Sequence, residues 1–318
     1  MVLAHLNHRK FQIGAIPTLE HLNGATLEGQ LRLFLLSCQV NNLSLRSIQD
    51  YSQKIGVFVD FCRSQGITTP TEVNTNHIRL FLVGIQQHCK PASVKAYYGS
   101  VNRFFNWLVE EGSLELNPMC RMHPPRVPKQ LIKPFGRQNI ADLLILCGNS
   151  FLGLRNRAII LTFLDTGLRL SELAGIQLHD MDLEREIIRV MGKGAQERVV
   201  RIGKETQKAI LRYLLQRSDS LPCLWVTEER RPMKSRGVQM MIKRLGQRAG
   251  LKNVRCSAHT FRHTFGTAAL ELGADIRDVQ SLLGHSTLTM TLKYVATVNS
   301  EQAVKSHRQF SPVDKKWG

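Results

Sequence analysis

The sequence lacks any apolar run long enough to cross a membrane. A transmembrane helix needs about 20 consecutive apolar residues, whereas the mostly apolar segment 158–164 stops at Asp165. The N-terminal residues contain His, Lys and Arg without a continuous apolar segment, which is not the pattern of a signal peptide. We therefore expect a cytoplasmic protein with no membrane association.

Closely spaced cysteines are also missing. The seven cysteines are odd in number and never closer than 24 residues apart, so no pair has the spacing of zinc ligands. We interpret them as reduced, small apolar residues of a cytosolic protein. The chain also has no glycine-rich phosphate-binding loop and no carboxylate cluster for magnesium, and we predict no metal ion and no other cofactor. The cysteines are Cys38, Cys62, Cys89, Cys120, Cys147, Cys223 and Cys256.

Acidic residues are scarce relative to basic ones. The chain contains 43 Lys and Arg against 25 Asp and Glu, which gives a formal net charge of +18 and a pI near 10.0. Such an excess favours a polyanionic partner, because neutralised phosphates release condensed counterions. A merely basic soluble protein, or one that binds anionic lipid, would have the same balance. No basic amphipathic anchor or lipidation signal is present, which argues against lipid.

Helical periodicity begins near Thr26 and indicates a first domain at residues 25–118, preceded by an arm at 1–24 without periodicity. Successive apolar stripes at helical spacing predict four amphipathic helices with short connections. The third is predicted to begin at Asn74 or Thr75. The fourth begins with Pro91 in its first turn, where a missing N–H costs nothing. Four such helices make a small bundle.

A basic, proline-rich segment at residues 119–136 follows and should form a semi-rigid strap. A second domain is predicted at 137–300, ahead of a polar tail at 301–318. Within it, β-branched runs at 186–191 and 197–202 flank a Gly192-Lys193-Gly194 turn and predict a β-hairpin. The residues at 224–226 indicate a further short strand. The predicted helices lie near 138–148, 154–166, 170–177, 204–217 and 235–249.

The chain carries its most reactive side chains in short motifs towards its C-terminal end. His259 and Arg262 are three residues apart, so they share one face of a predicted helix and can reach a single anionic group. Gly284 is predicted to end the helix that begins near Asp275. That stop puts His285 in a corner between two helices, with Tyr294 about two turns further along.

Two further cations lie upstream, Arg169 in the run 165–173 and Lys193 at the hairpin tip. With the residues just described they form a set able to transfer phosphoryl groups without a metal. Because the planar guanidinium fork matches two phosphate oxygens, Arg169 and Arg262 are predicted to clamp the non-bridging oxygens. Glu172, one helical turn from Arg169, is suited to hold a guanidinium in place.

This ordered set resembles the signature of the tyrosine recombinases of the phage integrase family. The family's elements are an arginine in a T-G-x-R-x-x-E-L box, a lysine in a β-hairpin, an H-x-x-R box, an L-G-H box and a tyrosine nine residues after that histidine. The boxes look most like those of the compact Xer-type enzymes and of transposon and phage integrases. The matching residues, in order, are Arg169, Lys193, His259, Arg262, His285 and Tyr294, with Glu172 as the supporting acidic residue.

The resemblance implies a fold that is mainly α with a small β-sheet, arranged as a two-domain, C-shaped clamp. Residues 25–118 would be an N-terminal, SAM-like core-binding bundle, and 137–300 an α+β catalytic domain. It further implies double-stranded DNA as the substrate. The active form would be a homotetramer on DNA, or a heteromer with a second recombinase. The tail at 301–318 would contact a neighbouring subunit.

The resemblance also implies the reaction. Tyr294 would attack a phosphodiester, form a 3′-phosphotyrosyl link and free a 5′-hydroxyl. His259 would act as the base or position the phenol, and Lys193 would protonate the leaving oxygen. His285 would add a hydrogen bond to the developing negative charge. The covalent link conserves the energy of the bond, so rejoining to another strand needs no nucleotide cofactor.

Basic residues on the helix faces and in the strap are candidates for contacts with DNA phosphates. Such contacts position a protein without reading the DNA sequence, and a solvated charged face is the plain alternative for each residue. The candidates are Arg46, Lys95, Arg103, Arg126, Lys129, Lys234, Arg236, Lys243 and Arg244.

Two other functions are compatible with the same chemistry or the same fold. A type IB topoisomerase-like enzyme would nick and close one duplex, but it would have no need of a partner-binding tail. A non-cutting DNA-binding protein, such as a repressor, would have no use for an exposed tyrosine among arginines. The sequence leaves open the target DNA, any accessory protein, and the choice between integration, excision and dimer resolution.

Overall fold

The computed structural model describes residues 24–128, 132–192, 197–285 and 287–295, and the side chains of Lys293 and Val295 are not described. The chain divides into two compact units, Met1–Gln130 and Leu131–Gly318. The predicted arm, apart from Gly24, the predicted tail, Lys129 and Lys193 all lie outside the described residues. Within the described ranges, no helix is long and apolar enough to span a membrane.

The first unit contains the four predicted helices. Side-chain oxygens of Thr26, Ser44 and Asn74 accept hydrogen bonds from main-chain N–H groups at the starts of the first three helices. Pro91 occupies the first turn of the fourth, as predicted. These helices are α1 (Leu27–Val40), α2 (Leu45–Ser64), α3 (Thr75–His88) and α4 (Pro91–Glu110).

Aromatic side chains fill the centre of this bundle. Phe34 of α1 meets Phe104 and Trp107 of α4 at ring-centroid distances of 5.6 and 5.5 Å. Phe58 of α2 meets Phe81 of α3 at 5.1 Å. These edge-to-face contacts stabilise the bundle by about 1 kcal/mol each beyond their buried area. The apolar stripes predicted from the sequence are therefore the faces that α1 to α4 bury.

The second unit combines eight helices with a small antiparallel sheet in its described residues. The elements are α5 (Arg137–Ile145), α6 (Phe151–Thr166), α7 (Leu170–Gly175), β1 (Met181–Asp182), β2 (Ile187–Met191), β3 (Glu197–Arg201), α8 (Lys204–Leu214), α9 (Ser235–Arg248), α10 (Ala258–Glu271), α11 (Ile276–Leu283) and α12 (Leu288–Val295).

The predicted hairpin is confirmed, and a third strand extends it. β2 and β3 pair antiparallel from Ile187↔Arg201 to Met191↔Glu197, and the sheet order is β1-β2-β3. Sequence analysis missed β1 because two residues are too short to show an alternation of apolar and polar side chains.

The strand predicted at 224–226 is wrong. This segment forms one isolated bridge, between Val226 and Pro232, and Leu224 N–H donates instead to the carbonyl of Ile176. The indole Nε1 of Trp225 donates to the carbonyl of Leu173 at 2.8 Å. The segment is apolar because it is buried, but its main-chain bonds go to separate partners and no ladder forms.

Helix α6 begins at Phe151, three residues before the predicted start at 154. Ser150 caps it by accepting from Gly153 N–H at 3.2 Å. A side chain at Gly153 would place Cβ only 1.9 Å from the carbonyl oxygen of Cys147. Gly153 is therefore required inside the first turn, where another part of the main chain packs against it.

Helix α6 lies at the centre of the second unit and packs against α8 and α10. Phe163 of α6 stacks on Phe261 of α10 with ring centroids 5.6 Å apart. The main-chain N–H of Phe135, at the end of the strap, donates to Thr264 Oγ1 of α10 at 2.9 Å. This packing holds the first two turns of α10, which carry His259 and Arg262, against a rigid core.

Candidate active site

The end of α11 is the point on which the site converges. Gly284 follows the helix in the left-handed conformation, with φ of 61°, as its predicted stop position requires. The last carbonyl groups of a helix have no partners within the helix and lie at its negative end. Here the carbonyls of Leu282, Leu283 and Gly284 each accept a hydrogen bond from a different arginine.

Arg169 lies at the start of α7. Its Nη2 donates to the carbonyl of Gly284 at 2.7 Å, and its Nη1 donates to Glu172 Oε1 at 2.8 Å. The main-chain N–H of Arg169 also donates to Glu172 Oε2, at 2.7 Å. The side chain is about one third exposed. Glu172 therefore orients Arg169 through both its main chain and its side chain.

Arg198 is a site residue that sequence analysis missed. Its Nη1 and Nη2 donate to the two carboxylate oxygens of Glu172 at 2.8 Å each, and its Nε donates to the carbonyl of Leu282 at 3.3 Å. The sequence did contain a signal. Arg198 and Val200 alternate with exposed neighbours on β3, so an arginine occupies an inward-facing strand position that calls for a buried acid.

Glu172 is buried, with its side chain only 2% exposed, and each of its carboxylate oxygens accepts two hydrogen bonds. Burial alone raises the pKa of a carboxylic acid. The hydrogen bonds from Arg198 and from the main chain and side chain of Arg169 outweigh that effect and lower the pKa of Glu172 to about 2. The carboxylate is therefore ionised at any pH near neutrality.

Arg262 lies on α10 and is almost completely buried. Its Nη1 donates to the carbonyl of Gly167 at 2.8 Å and its Nη2 to the carbonyl of Leu283 at 2.5 Å. Burial, and then the nearby charge of Arg169, lower the pKa of Arg262 to about 10. The group stays cationic at neutral pH, where it is held rigidly by two carbonyls and carries a charge that an anion would stabilise.

Tyr294 is buried on α12, and the expectation of an exposed tyrosine is wrong. Its ring stacks on His285, with centroids 5.8 Å apart and planes 13° apart, and lies 5.0 Å from the ring of His263. Burial raises the pKa of the Tyr294 phenol, and the adjacent guanidinium of Arg262 opposes that rise. The tyrosine packs closely because Gly266 of α10 has no side chain where the ring lies.

His285 occupies the predicted corner between α11 and α12. Its Nδ1 and Thr291 Oγ1 of α12 are 2.8 Å apart, and its main-chain N–H donates to the carbonyl of Gln280. The ring is therefore held between two helices with its face on Tyr294. His259 is exposed on the first turn of α10. It lies close enough to His263 to contribute, after burial, to the lowered pKa of that ring.

The structure thus brings five of the predicted site residues together in one described cluster. Together with Arg198, the cluster holds three guanidinium groups and one carboxylate, that of Glu172, which is an excess of two positive charges. Such a cluster is suited to an anion with several oxygens. In the described part of the chain, no group of three His, Cys, Asp or Glu could hold a metal ion. The clustered residues are Arg169, Glu172, Arg262, His285 and Tyr294.

The DNA-binding candidates are exposed wherever the structure describes them. Arg46, Lys95 and Arg103 lie on α2 and α4, and Arg103 is paired with Glu110 at 3.0 Å. Arg126 is exposed in the strap. The remaining four lie at the start and on the outer face of α9, a helix with four Arg and Lys and no Asp or Glu. These four are Lys234, Arg236, Lys243 and Arg244.

Two known domain families match the chain. Residues 135–301 match the phage integrase family, and residues 31–113 match the phage integrase N-terminal SAM-like domain. Among curated proteins, the tyrosine recombinase XerC of Syntrophus aciditrophicus (strain SB) is 31% identical over 284 residues, 83% of this chain and 91% of the relative. The tyrosine recombinase XerC of Haemophilus influenzae (strain PittEE) is 31% identical over 278 residues, 86% of this chain and 94% of the relative.

Solved structures show the same fold at lower identity. XerH site-specific recombinase bound to palindromic difH substrate has a TM-score of 0.72 at 19% identity, covering 91% of this chain and 86% of that one. A lambda integrase dimer bound to a COC′ core site has a TM-score of 0.69 at 18% identity, covering 83% of this chain and 97% of that one. The predicted mainly helical fold, with a SAM-like domain and a small antiparallel sheet, is confirmed.

Proposed function

The chain belongs to the phage integrase family and is a tyrosine recombinase, and from this premise we propose that Tyr294 is the residue with which it cuts DNA. Of the three functions that the sequence allowed, the site-specific recombinase is confirmed by family membership. One observation carries the assignment of the nucleophile. Tyr294 lies beside Arg262 and His285, in a cluster with an excess of positive charge.

Arg169 and Arg262 are proposed to hold the scissile phosphate. Each guanidinium has five N–H donors, and those that donate to main-chain carbonyls fix the plane of the group. The remaining donors can then meet the non-bridging oxygens without reorganisation, which is how fixed charge stabilises a transition state. His285, held by Thr291, would add a hydrogen bond to the same oxygens.

In the cleavage step, the Tyr294 oxygen would attack phosphorus while the bond from phosphorus to the 5′-oxygen breaks. The phenolic proton would pass to His259, and Lys193 would give a proton to the leaving 5′-oxygen. The products are a 3′-phosphotyrosyl link and a 5′-hydroxyl. Attack by the 5′-hydroxyl of another strand reverses each transfer, which rejoins DNA and restores the tyrosine without a metal ion or nucleotide.

The assembly is also part of the proposal. Residues 25–118 and 137–300 would both contact the duplex, with Arg126 of the strap and the basic face of α9 against phosphates. A lambda integrase with this fold is described as a dimer on DNA. We propose a homotetramer on two duplexes, with the tail at 301–318 docked on a neighbouring subunit, acting on DNA in the cytoplasm.

A covalent-adduct assay tests this proposal. Nicked duplex fragments from the DNA flanking the gene are incubated with the protein and a chelator, and protein–DNA adducts are resolved after denaturation. We expect an adduct with the wild type and none with Tyr294→Phe, which should still shift the same DNA in a native gel. Tyr97→Phe, on α4 of the first unit, is the matched control and should keep the adduct.

The outcomes separate the alternatives. An adduct that persists in Tyr294→Phe would assign the nucleophile elsewhere, and loss of the adduct on adding the chelator would contradict the metal-independent mechanism. A wild type that binds the DNA but never forms an adduct would contradict the cutting role of this site. Exchange of strands between two labelled duplexes distinguishes recombination from nicking and closing of one duplex.

A further inference from the structure

Three arginines from three different elements meet at the last turn of α11, and the proposed reaction uses only two of them. Arg169 donates to the carbonyl of Gly284, Arg262 to that of Leu283 and Arg198 to that of Leu282. These are consecutive carbonyl groups at the negative end of one helix. The third arginine therefore belongs to the same arrangement but has no place in the motifs read from the sequence.

The guanidinium of Arg198 donates its hydrogen bonds to acceptors within the protein. Both of its Nη atoms donate to Glu172, and its Nε donates to Leu282, so all three nitrogens are engaged. Its side chain is 16% exposed, half the exposure of Arg169. It also packs against Gly284, where a Cβ atom would meet three of its atoms at 3.4 Å. An arginine in this setting is placed to hold other groups rather than to meet substrate.

We propose that Arg198 is a positioning residue that keeps Glu172, Arg169 and the last turn of α11 in the geometry required to clamp the scissile phosphate. The inference rests on the proposed function and deepens it. Arg198 crosses from β3 to α11 through Leu282 and to α7 through Glu172. It therefore fixes the distance between the element that carries Arg169 and the corner that carries His285.

Charge gives Arg198 a second effect on the clamp. If it were absent, the buried Glu172 would pair with Arg169 alone, and a one-to-one pair carries no net charge towards a phosphate. With Arg198 present, the same carboxylate is shared between two guanidinium groups. One negative charge divided between two guanidinium groups neutralises Arg169 only in part. Arg169 then keeps part of its attraction for the anion.

The experiment compares three variants on two DNA substrates. Arg198→Gln removes the charge and the fork, and Arg198→Lys keeps the charge without the fork. Arg201→Gln is the matched control, because Arg201 lies on the same strand, paired with Glu186, and is 76% exposed. The substrates are the nicked fragment that gives the wild-type adduct and the same fragment with a methylphosphonate at the mapped scissile position. The methylphosphonate is neutral and therefore depends less on the clamp.

We expect Arg198→Gln to slow cleavage of the phosphodiester at least about tenfold, because charge-assisted hydrogen bonds to the clamp are lost. The reduction in the cleavage rate of the methylphosphonate should be clearly smaller. Arg198→Lys should fall between Arg198→Gln and the wild type, and Arg201→Gln should match the wild type on both substrates. The dependence of DNA affinity on salt should be unchanged in all three variants, because Arg198 does not neutralise a phosphate itself.

If Arg198→Gln slowed cleavage of the two substrates by the same factor, the proposal would be overturned, and Arg198 would have only a general structural role. A shallower salt dependence in Arg198→Gln that is not seen in Arg198→Lys would also overturn it, since that result assigns a direct phosphate contact. Thermal unfolding of each variant sets the temperature of the assay, and Arg198→Lys carries the test if Arg198→Gln does not fold. If the wild type itself formed no adduct, the proposed function would be contradicted instead. Failure of the Arg198 proposal can therefore be distinguished from failure of the proposed function.

Discussion

At the scale of single residues, the carboxylate of Glu172 is the group on which the candidate site depends most. It accepts four hydrogen bonds, two from Arg198 and two from Arg169, while almost inaccessible to solvent. Removing one partner from a buried ion pair leaves the other charge uncompensated, which is far more costly than losing a surface pair. The stability and the geometry of the site are therefore coupled through this one side chain.

Glu172→Gln should destabilise the protein in a pH-dependent way. The folded pKa of Glu172, about 2, lies below its ordinary value of 4.5. Its ionisation therefore stabilises the fold fully above about pH 5, and that stabilisation declines as the pH falls towards 2. We expect the difference in unfolding free energy between wild type and variant to shrink by about 1 kcal/mol between pH 7 and pH 3.5. Urea denaturation at several pH values measures this difference.

Glu110→Gln provides the control for that prediction. Glu110 is also paired with an arginine, Arg103, but its side chain is more than half exposed. Exposed pairs contribute little, so this variant should lie within about 1 kcal/mol of the wild type at every pH. A pH-independent effect of Glu172→Gln would show that the loss comes from packing and not from the ionised carboxylate.

At the scale of elements, the contact between α10 and α12 decides where Tyr294, the proposed nucleophile, lies. Gly266 of α10 faces the ring of Tyr294, and a Cβ atom there would lie 3.1 Å from the nearest ring carbon. That distance is too short for ordinary packing, so α12 or the ring would have to shift by a few tenths of an ångström. The glycine is thus required by close approach and not by backbone conformation.

Gly266→Ala should lower the rate of adduct formation, by about tenfold, while DNA binding is retained. The physical reason is displacement of the Tyr294 oxygen relative to the arginines. Gly99→Ala on α4 is the matched control, because no atom lies within 4 Å of its Cβ position. That change should leave the rate unaltered and stabilise the first unit by about 1 kcal/mol. A Gly266→Ala enzyme with wild-type rate would contradict the proposed geometry.

At the scale of the whole molecule, each compact unit has its own hydrophobic core. The buried cluster of the first unit runs from Leu27 to Met119, and that of the second from Phe135 to Phe261, with no residue in common. The two ends of the strap are fastened within their own units: Tyr98 Oη donates to the carbonyl of Met122, and Phe135 N–H donates to Thr264. Stability is therefore organised unit by unit.

Residues 24–128 and 132–318, produced as separate chains, should each fold cooperatively. We expect each to show a thermal transition followed by circular dichroism at the helical minimum. The second chain should bind the nicked duplex more weakly than the full protein, because the basic face of the first unit is lost. Native gels at two salt concentrations measure that difference. A second chain that shows no cooperative transition would contradict the independence of the two cores.

The sequence predicted much of the fold for identifiable reasons. The four helices of the first unit have clear apolar stripes and strong caps, and the sequences of β2 and β3 contain β-branched residues on either side of Gly192-Lys193-Gly194. The strand predicted at 224–226 was wrong, because this segment is apolar and buried but does not pair with another strand along its length. Sequence analysis also missed β1, which exists only because β2 lies beside it. The spacing of apolar residues predicts which face of a segment is buried. It does not predict which partner accepts the main-chain hydrogen bonds of that segment.

The sequence by itself determined which groups are available for chemistry: the order and spacing of Arg169, His259, Arg262, His285 and Tyr294, and the basic excess of the chain. Those depend on local helix geometry and on composition. Only the tertiary structure decided that Arg198 joins them, because β3 meets α11 through packing between residues 84 positions apart. It also decided that Tyr294 is buried, since that follows from the missing side chain of Gly266 on another helix.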